Sequence, residues 1–230
     1  MRATLAVVSY PHWLAHSVVQ IVRDNRRWMA WNLLLAGVPL VLALGLFGVA
    51  RRRALAWWAL AGAFVLLLPN APYVVTDLVH LHEVADSAPS HSVVLAGVLP
   101  LFGAYIVAGY LSYVACLELL VREARRLGVR RGRRWIEIPV HAVCSVGIVL
   151  GRIARLNSWD TITRPETTVE RIFATLSWSG APAALVLVFL ATWITAEVVR
   201  APIVLVIRLV RRFRNWSADP PGLAAEPGVA

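Results

Sequence analysis

The chain contains no lysine; all 23 of its basic residues are arginine. Schiff-base chemistry and ammonium nucleophiles are therefore excluded, since both need an amine side chain. Cysteine is scarce too. Cys116 and Cys144 each sit inside an apolar stretch, in no CxxC or Cys/His spacing. Neither a disulfide framework nor a zinc finger is indicated by that pattern, and a buried free thiol packs as a small hydrophobe. No P-loop, GxSxG, HExxH or CxxCH pattern occurs. The chain thus carries no signature of nucleotide binding, serine hydrolysis, metalloprotease chemistry of that type or c-type haem attachment.

Charge of either sign is missing from long stretches: residues 31–50, 54–68, 93–117 and 182–196 have none. The whole chain is 59% hydrophobic, against roughly 45–50% for a soluble domain. About 20 apolar residues cross a hydrocarbon core of ~30 Å, so the blocks read as membrane spans. The fold class expected is all-α, a polytopic transmembrane helical bundle. Its spans are residues 31–50, 54–68, 92–120, 135–152 and 182–199, with residues 4–22 in addition. The last segment is diluted by Pro11, His12, His16 and Gln20. It is either a sixth span, the preferred reading, or a surface-lying helix. Residues 1–216 form one membrane domain, and 217–230, rich in Pro, Gly and Ala, a disordered tail.

Arginine also sets the orientation. Arg2, Arg51–Arg53, seven arginines over 122–134 and five over 200–214 fall on one side of a six-span topology, 16 against 7. The positive-inside rule places that side, with both termini, in the cytoplasm. The location expected is a bacterial inner membrane, and the net charge of +10 serves lipid phosphates rather than nucleic acid. After Pro202, Ile203, Val206, Ile207 and Val210 oppose Arg208, Arg211 and Arg212. This is an amphipathic helix suited to anionic lipids at the cytoplasmic face.

Two connections on the opposite side carry the chemistry. In the first, Pro69 and Pro72 break the third span and Asn70 caps the segment beyond it. If that segment is helical, Tyr73, Asp77, His80 and Val84 share one stripe, with Thr76 and Glu83 beside it. The second connection runs from Gly151 to Asp160. It leads into Thr163-Arg164-Pro165-Glu166, a capping-box pattern, and then Val169, Ile172, Phe173 and Leu176 at amphipathic spacing. On the other side, Glu137, His141 and Cys144 share a face and could relay protons, while Glu118 and Glu197 read as anchors near Arg122 and Arg200.

The stretches LPNAPYVVTDLVHL and GRIARLNSWD, with Trp31-Asn32 ahead of them, resemble the family of bacterial membrane proteins called domain of unknown function 1361. The likeness covers roughly residues 31–199. It implies a multi-span inner-membrane protein and no assigned activity.

The residues themselves define an outer-face polar pocket where the two connections meet. Asp77 and His80 are candidate acid–base groups, and Asp77, His80 and Asp160 together are candidate metal ligands. Asn70, Tyr73, Arg152, Arg155, Asn157, Ser158, Trp159 and Asp160 are candidate substrate contacts, with the two guanidiniums suited to phosphate or carboxylate. Partly desolvated charges need partners, so Asp77 or Asp160 should contact Arg152 or Arg155, and His80 should face the same pocket. Three uses stay open. They are an enzyme or binding protein for an anionic envelope or lipid-linked substrate, a transporter, and a structural subunit of an envelope complex.

Overall fold

The computed structural model describes the backbone of residues 2–49, 54–156 and 159–218, and the side chains of 12–48, 54–156 and 159–212. Among these residues there is no strand. Five helical runs are long and apolar enough to cross a membrane: His12–Gly48, Leu55–Asp86, His91–Arg126, Arg134–Ile153 and Ala181–Arg212. At most 33% of the most apolar window of any run is buried. In water such apolar exposure would far exceed the patches soluble monomers tolerate. The all-α bundle is therefore membrane-like, with apolar surface turned outward.

Helix α1, Arg2–Ala43, ends in a π-helical turn at Leu44–Val49. Residues 4–22 are thus continuous with the helix that follows rather than a separate one, and five candidate spans are present among the described residues. Arginines at 23, 26 and 27 suggest a loop, but residues 23–30 contain neither Gly nor Pro, so nothing interrupts the helix. Side chains reinforce it: Asn25 Nδ2 donates to the Ile21 carbonyl at 2.9 Å, and Trp28 Nε1 donates to Asn25 Oδ1 at 3.0 Å.

Helix α2, Leu55–Leu67, passes through α3 (Asn70–Tyr73) and a 3₁₀ turn at Val74–Leu78 into α4, Val79–Asp86. The prolines tighten the helix instead of ending it. The Ala71 amide bonds the Leu68 carbonyl, three residues back. Asn70 is the first residue of α3 and not its cap, since Pro69 occupies that position. Short α5, His91–Val93, is capped by the Ser90 hydroxyl and leads through a π-helical turn at Val94–Val98 into α6, Leu99–Arg126.

Helix α7 spans Arg134–Ile153 and α8 Asp160–Thr163. Helix α9, Pro165–Leu176, has Pro165 in its first turn, but no capping box forms. The hydroxyl of Thr168 bonds back to the Arg164 carbonyl at 2.7 Å and the Asp160 carbonyl at 3.1 Å instead. Val169, Phe173 and Leu176 are exposed on α9, whereas Thr168 and Thr175 are buried. Its apolar ridge therefore faces away from the bundle. Helix α10, Ala181–Ala218, carries Pro202 within it, so no separate helix begins there. A single proline removes one backbone bond, and neighbouring groups in membrane helices re-satisfy what it frees. The disordered tail expected over 217–230 is helical at its first two residues, which belong to α10, and residues 219–230 lie outside the described residues.

Central α6 packs against α1, α3, α7 and α10. It buries Phe102, Tyr105, Tyr110 and Tyr113. Beside α3, two close approaches require glycine. A Cβ at Gly109 would stand 2.5 Å from Val74, and one at Gly147 would stand 2.5 Å from Pro69. These contacts press α3 between α6 and α7 and fix where Tyr73 and Asp77 lie.

Candidate functional site

Asp77 is 2% exposed, in the 3₁₀ turn between α3 and α4. Its Oδ2 accepts from the Tyr105 hydroxyl at 2.5 Å and from Asn32 Nδ2 at 3.0 Å. Its Oδ1 lies 3.7 Å from Arg152 Nη1, and Arg152 Nη2 donates to the Thr76 carbonyl at 3.2 Å. One carboxylate thus ties α1, α6 and α7 to the proline-tightened turn. The pairing expected between the two connections is present through Asp77 and Arg152.

Above this node lies a cavity of about 720 Å³. Tyr73, Asp77, His80 and Val84 all border it, as their shared stripe anticipates. Asn70, Arg152 and Trp159 border it as well, whereas Arg155 and Asp160 are not among its walls. Arg155 takes a left-handed backbone conformation, φ 51°. The chain turns sharply there, and the exposed side chain does not join Arg152. Asn157 and Ser158 lie outside the described residues. The lower wall is apolar, with Leu35, Leu66, Gly147 and Leu150, and indole rings of Trp28, Trp31 and Trp159 stand around it.

His80 borders the same space. Its Nδ1 lies 3.2 Å from Glu83 Oε2, and its ring stacks at a tilt on Trp28 with centroids 5.5 Å apart. Asp77, by contrast, is fully engaged beneath. Among the described residues no group of three or more His, Cys, Asp and Glu comes close enough to hold a metal ion. The trio of Asp77, His80 and Asp160 does not assemble, because Asp77 is turned to Tyr105 and Asn32 and His80 to Glu83.

A second polar layer lies at the other end of α7. Arg200 Nη2 donates to Glu137 Oε1 at 2.7 Å and Nη1 to Glu197 Oε1 at 2.8 Å. Arg133 Nε donates to the same Glu137 oxygen at 2.8 Å, while its Nη1 bonds Glu118 Oε2 at 2.9 Å. Burial works against the charge of Arg133, but the two carboxylates outweigh it and hold the guanidinium above its ordinary pKa. Glu118 therefore pairs with Arg133 rather than Arg122, whereas Glu197 pairs with Arg200 as its position suggests. Glu137 is spent on two arginines and not on His141. The imidazole of His141 instead meets the Tyr113 hydroxyl at 2.9 Å, wedged edge-on between Tyr113 and Phe189. That removes the basis for a Glu137–His141 relay.

From Arg133 to Arg152 the helical rise is about 28 Å, close to the ~30 Å hydrocarbon thickness. The two charged layers therefore bracket one apolar slab.

Several of these residues escape a reading of the sequence. Tyr105, Asn32 and Trp28 carry no catalytic motif. Tyr105 does stand on a recurring inward stripe of α6, with Phe102, Gly109 and Tyr113, and tyrosines in a charge-free span need partners for their hydroxyls. The Arg200–Glu137 pairing joins residues 63 apart and leaves no local trace.

Fold and site define a class: an all-α, membrane-like helical bundle with a polar node under an amphipathic cavity. The family model described as "Protein of unknown function (DUF1361)" matches residues 31–197, and the chain belongs to that family. No curated protein and no solved structure matches it.

Proposed function

We propose that the cavity over Asp77 and Arg152 receives an amphipathic, lipid-like molecule with a singly charged anionic head, in a multi-pass protein of the bacterial inner membrane. The supporting observation is the cavity's division. Leu35, Leu66 and Leu150, each about a turn or less deeper along its helical run than the nearest polar wall residue, line its lower part, whereas Arg152, His80 and Asn70 border it together with three indoles. A tail lies below and a head above. Arg152 is the anion contact, since at 3.7 Å from Asp77 its guanidinium is not closed into a tight bidentate pair. Asp77 and Glu83 carry negative charge nearby and disfavour a head with more than one.

Asp77 serves here as a positioning residue for Arg152. His80 is the candidate general base: with Glu83 accepting from Nδ1, the other ring nitrogen is the basic one, as in carboxylate–imidazole pairs generally. Processing of the bound molecule is the enzymatic form of this reading. A transporter would need a route on toward Glu137 and His141. Both are buried and Glu137 is consumed by arginines, which supports binding or processing over transport. A structural subunit would have no use for an open cavity beside an unsaturated arginine.

Five crossings place the two ends of the helical run on opposite sides. Fifteen arginines then fall on the side of 122–134 and 200–214, against eight on the side of the cavity. The positive-inside rule keeps the C-terminus cytoplasmic and moves Arg2 outside.

Lipids extracted from the purified full chain test the proposal. Anionic amphiphile that falls by about one per chain in Arg152→Gln and not in Arg155→Gln is expected, because one charge-assisted contact contributes on the order of 1.5–3 kcal/mol. Equal retention by both variants, or a purely neutral lipid complement, would refute it.

A further inference from the structure

At the opposite end of the bundle from the Asp77 node, a cleft of about 950 Å³ opens between α1, α6 and α10. Five arginines border it: Arg122, Arg125 and Arg126 of α6, Arg133 before α7 and Arg211 of α10. Its walls below are apolar, with Leu40 from α1, Leu44 from the π-helical turn that follows, and Leu119 and Val121 from α6. Glu118 is the single carboxylate in the lining, and it is bonded to Arg133. Arg126 donates to the Phe47 carbonyl at 3.0 Å and stands 3.6 Å from Glu123. Arg122 and Arg211 have no ion-pair partner among the described residues.

We infer that this cleft is a binding site for an anionic phospholipid, with its phosphate between Arg122, Arg125 and Arg211 and an acyl chain along Leu40, Leu44 and Leu119. The chemistry is one of complementarity. Guanidiniums are in excess over carboxylates here, and planar N–H forks match phosphate oxygens. The charged rim lies at the level of the Arg133–Glu118 pair, where the apolar slab ends and lipid phosphates would lie. The arginine rim above leucine walls reproduces the order of head and tail in a phospholipid. This goes beyond a basic helix lying on an anionic surface, because it names a cleft with two walls and a third helix contributing Arg211. It does not depend on what occupies the cavity over Asp77.

The test uses the full chain carrying Arg152→Gln, so that the cavity over Asp77 does not contribute, purified in a neutral detergent and titrated with short-chain phosphatidylglycerol or phosphatidylcholine, with bound lipid counted by native mass spectrometry. This chain should favour phosphatidylglycerol by about ten-fold or more, since arginines near anionic lipid add their attractions. Arg122→Gln/Arg211→Gln should bring that preference to within about two-fold. Arg130→Gln/Arg134→Gln removes equal charge outside the cleft and should keep the preference. Ala115→Trp fills the cleft without changing charge and should lower binding of both lipids. Inorganic phosphate at millimolar concentration should not displace the lipid. Equal losses in the two double variants would mean diffuse attraction and overturn the site. Displacement by phosphate, or unchanged binding in Ala115→Trp, would overturn the lipid as occupant.

Discussion

The two ends of α7 use the same residue types in opposite ways. At the Arg133 end, Arg133 and Arg200 close on Glu118, Glu137 and Glu197 with contacts of 2.9 Å or less. At the Arg152 end, a lone arginine stands 3.7 Å from a single carboxylate and borders an open cavity. The first arrangement consumes its charges, because Arg200 and Glu137 are both buried and neither could be left alone in an apolar medium. The second leaves charge in reserve beside space. The charged residues at the two ends are thus of two kinds, one closed into ion pairs between helices and one that borders open space.

Breaking the closed end should have the largest effect. Arg200→Gln leaves buried Glu137 with Arg133 alone and takes the guanidinium from Glu197, and should cost on the order of 3 kcal/mol, read as a large loss of thermal stability in detergent. Glu137→Gln should cost less, since Arg200 retains Glu197. Next comes the packing that positions the open end. Gly147→Val would drive a side chain into Pro69, only 2.5 Å from the nearest added carbon. Overpacking of that kind costs about 1–3 kcal/mol, and it should also reduce ligand retention, because α3 carries Asn70 and Tyr73.

At the small end of the scale, His80→Gln should move stability by no more than about 0.5 kcal/mol, given that the His80 side chain is 41% exposed. Turnover of any processed ligand should nevertheless be lost, whereas binding persists. A cysteine accessibility series sharpens the spatial side of the comparison. A reagent that cannot cross membranes should label Ser87→Cys and Gly132→Cys from opposite faces. Labelling of both from one face would collapse the two layers into one.

Charge-free runs made the five spans legible, because nothing but a membrane or a deep core accommodates residues 93–117. Tyr73, Asp77 and His80 were legible as a stripe because the segment after Pro69 stays helical. Arg152 was legible as their partner because it ends the neighbouring span. The hidden part depends on distances along the chain that local pattern does not carry. The continuity of α1 through Arg23, Arg26 and Arg27 was masked by charge, which favours loops on average but does not break a helix lacking Gly and Pro. Arg155 looked equivalent to Arg152 by spacing. It is separated from it because α7 ends at Ile153 and the backbone then turns left-handed. Tyr105 and Asn32 reach Asp77 from two other helices, and nothing in their neighbourhood announces a carboxylate.

Paired double-mutant cycles test the contrast between the two ends most directly. One cycle joins Glu137→Gln with Arg200→Gln, the other Asp77→Asn with Arg152→Gln, each monitored by reversible unfolding of the full chain in the same detergent. The closed pair should show coupling of about 2 kcal/mol or more, as buried hydrogen-bonded partners do. The open pair should show less than about 1 kcal/mol, because Arg152 is 35% exposed and its contact is long. Equal couplings, or a stronger one between Asp77 and Arg152, would contradict the division into a structural end and a ligand-facing end.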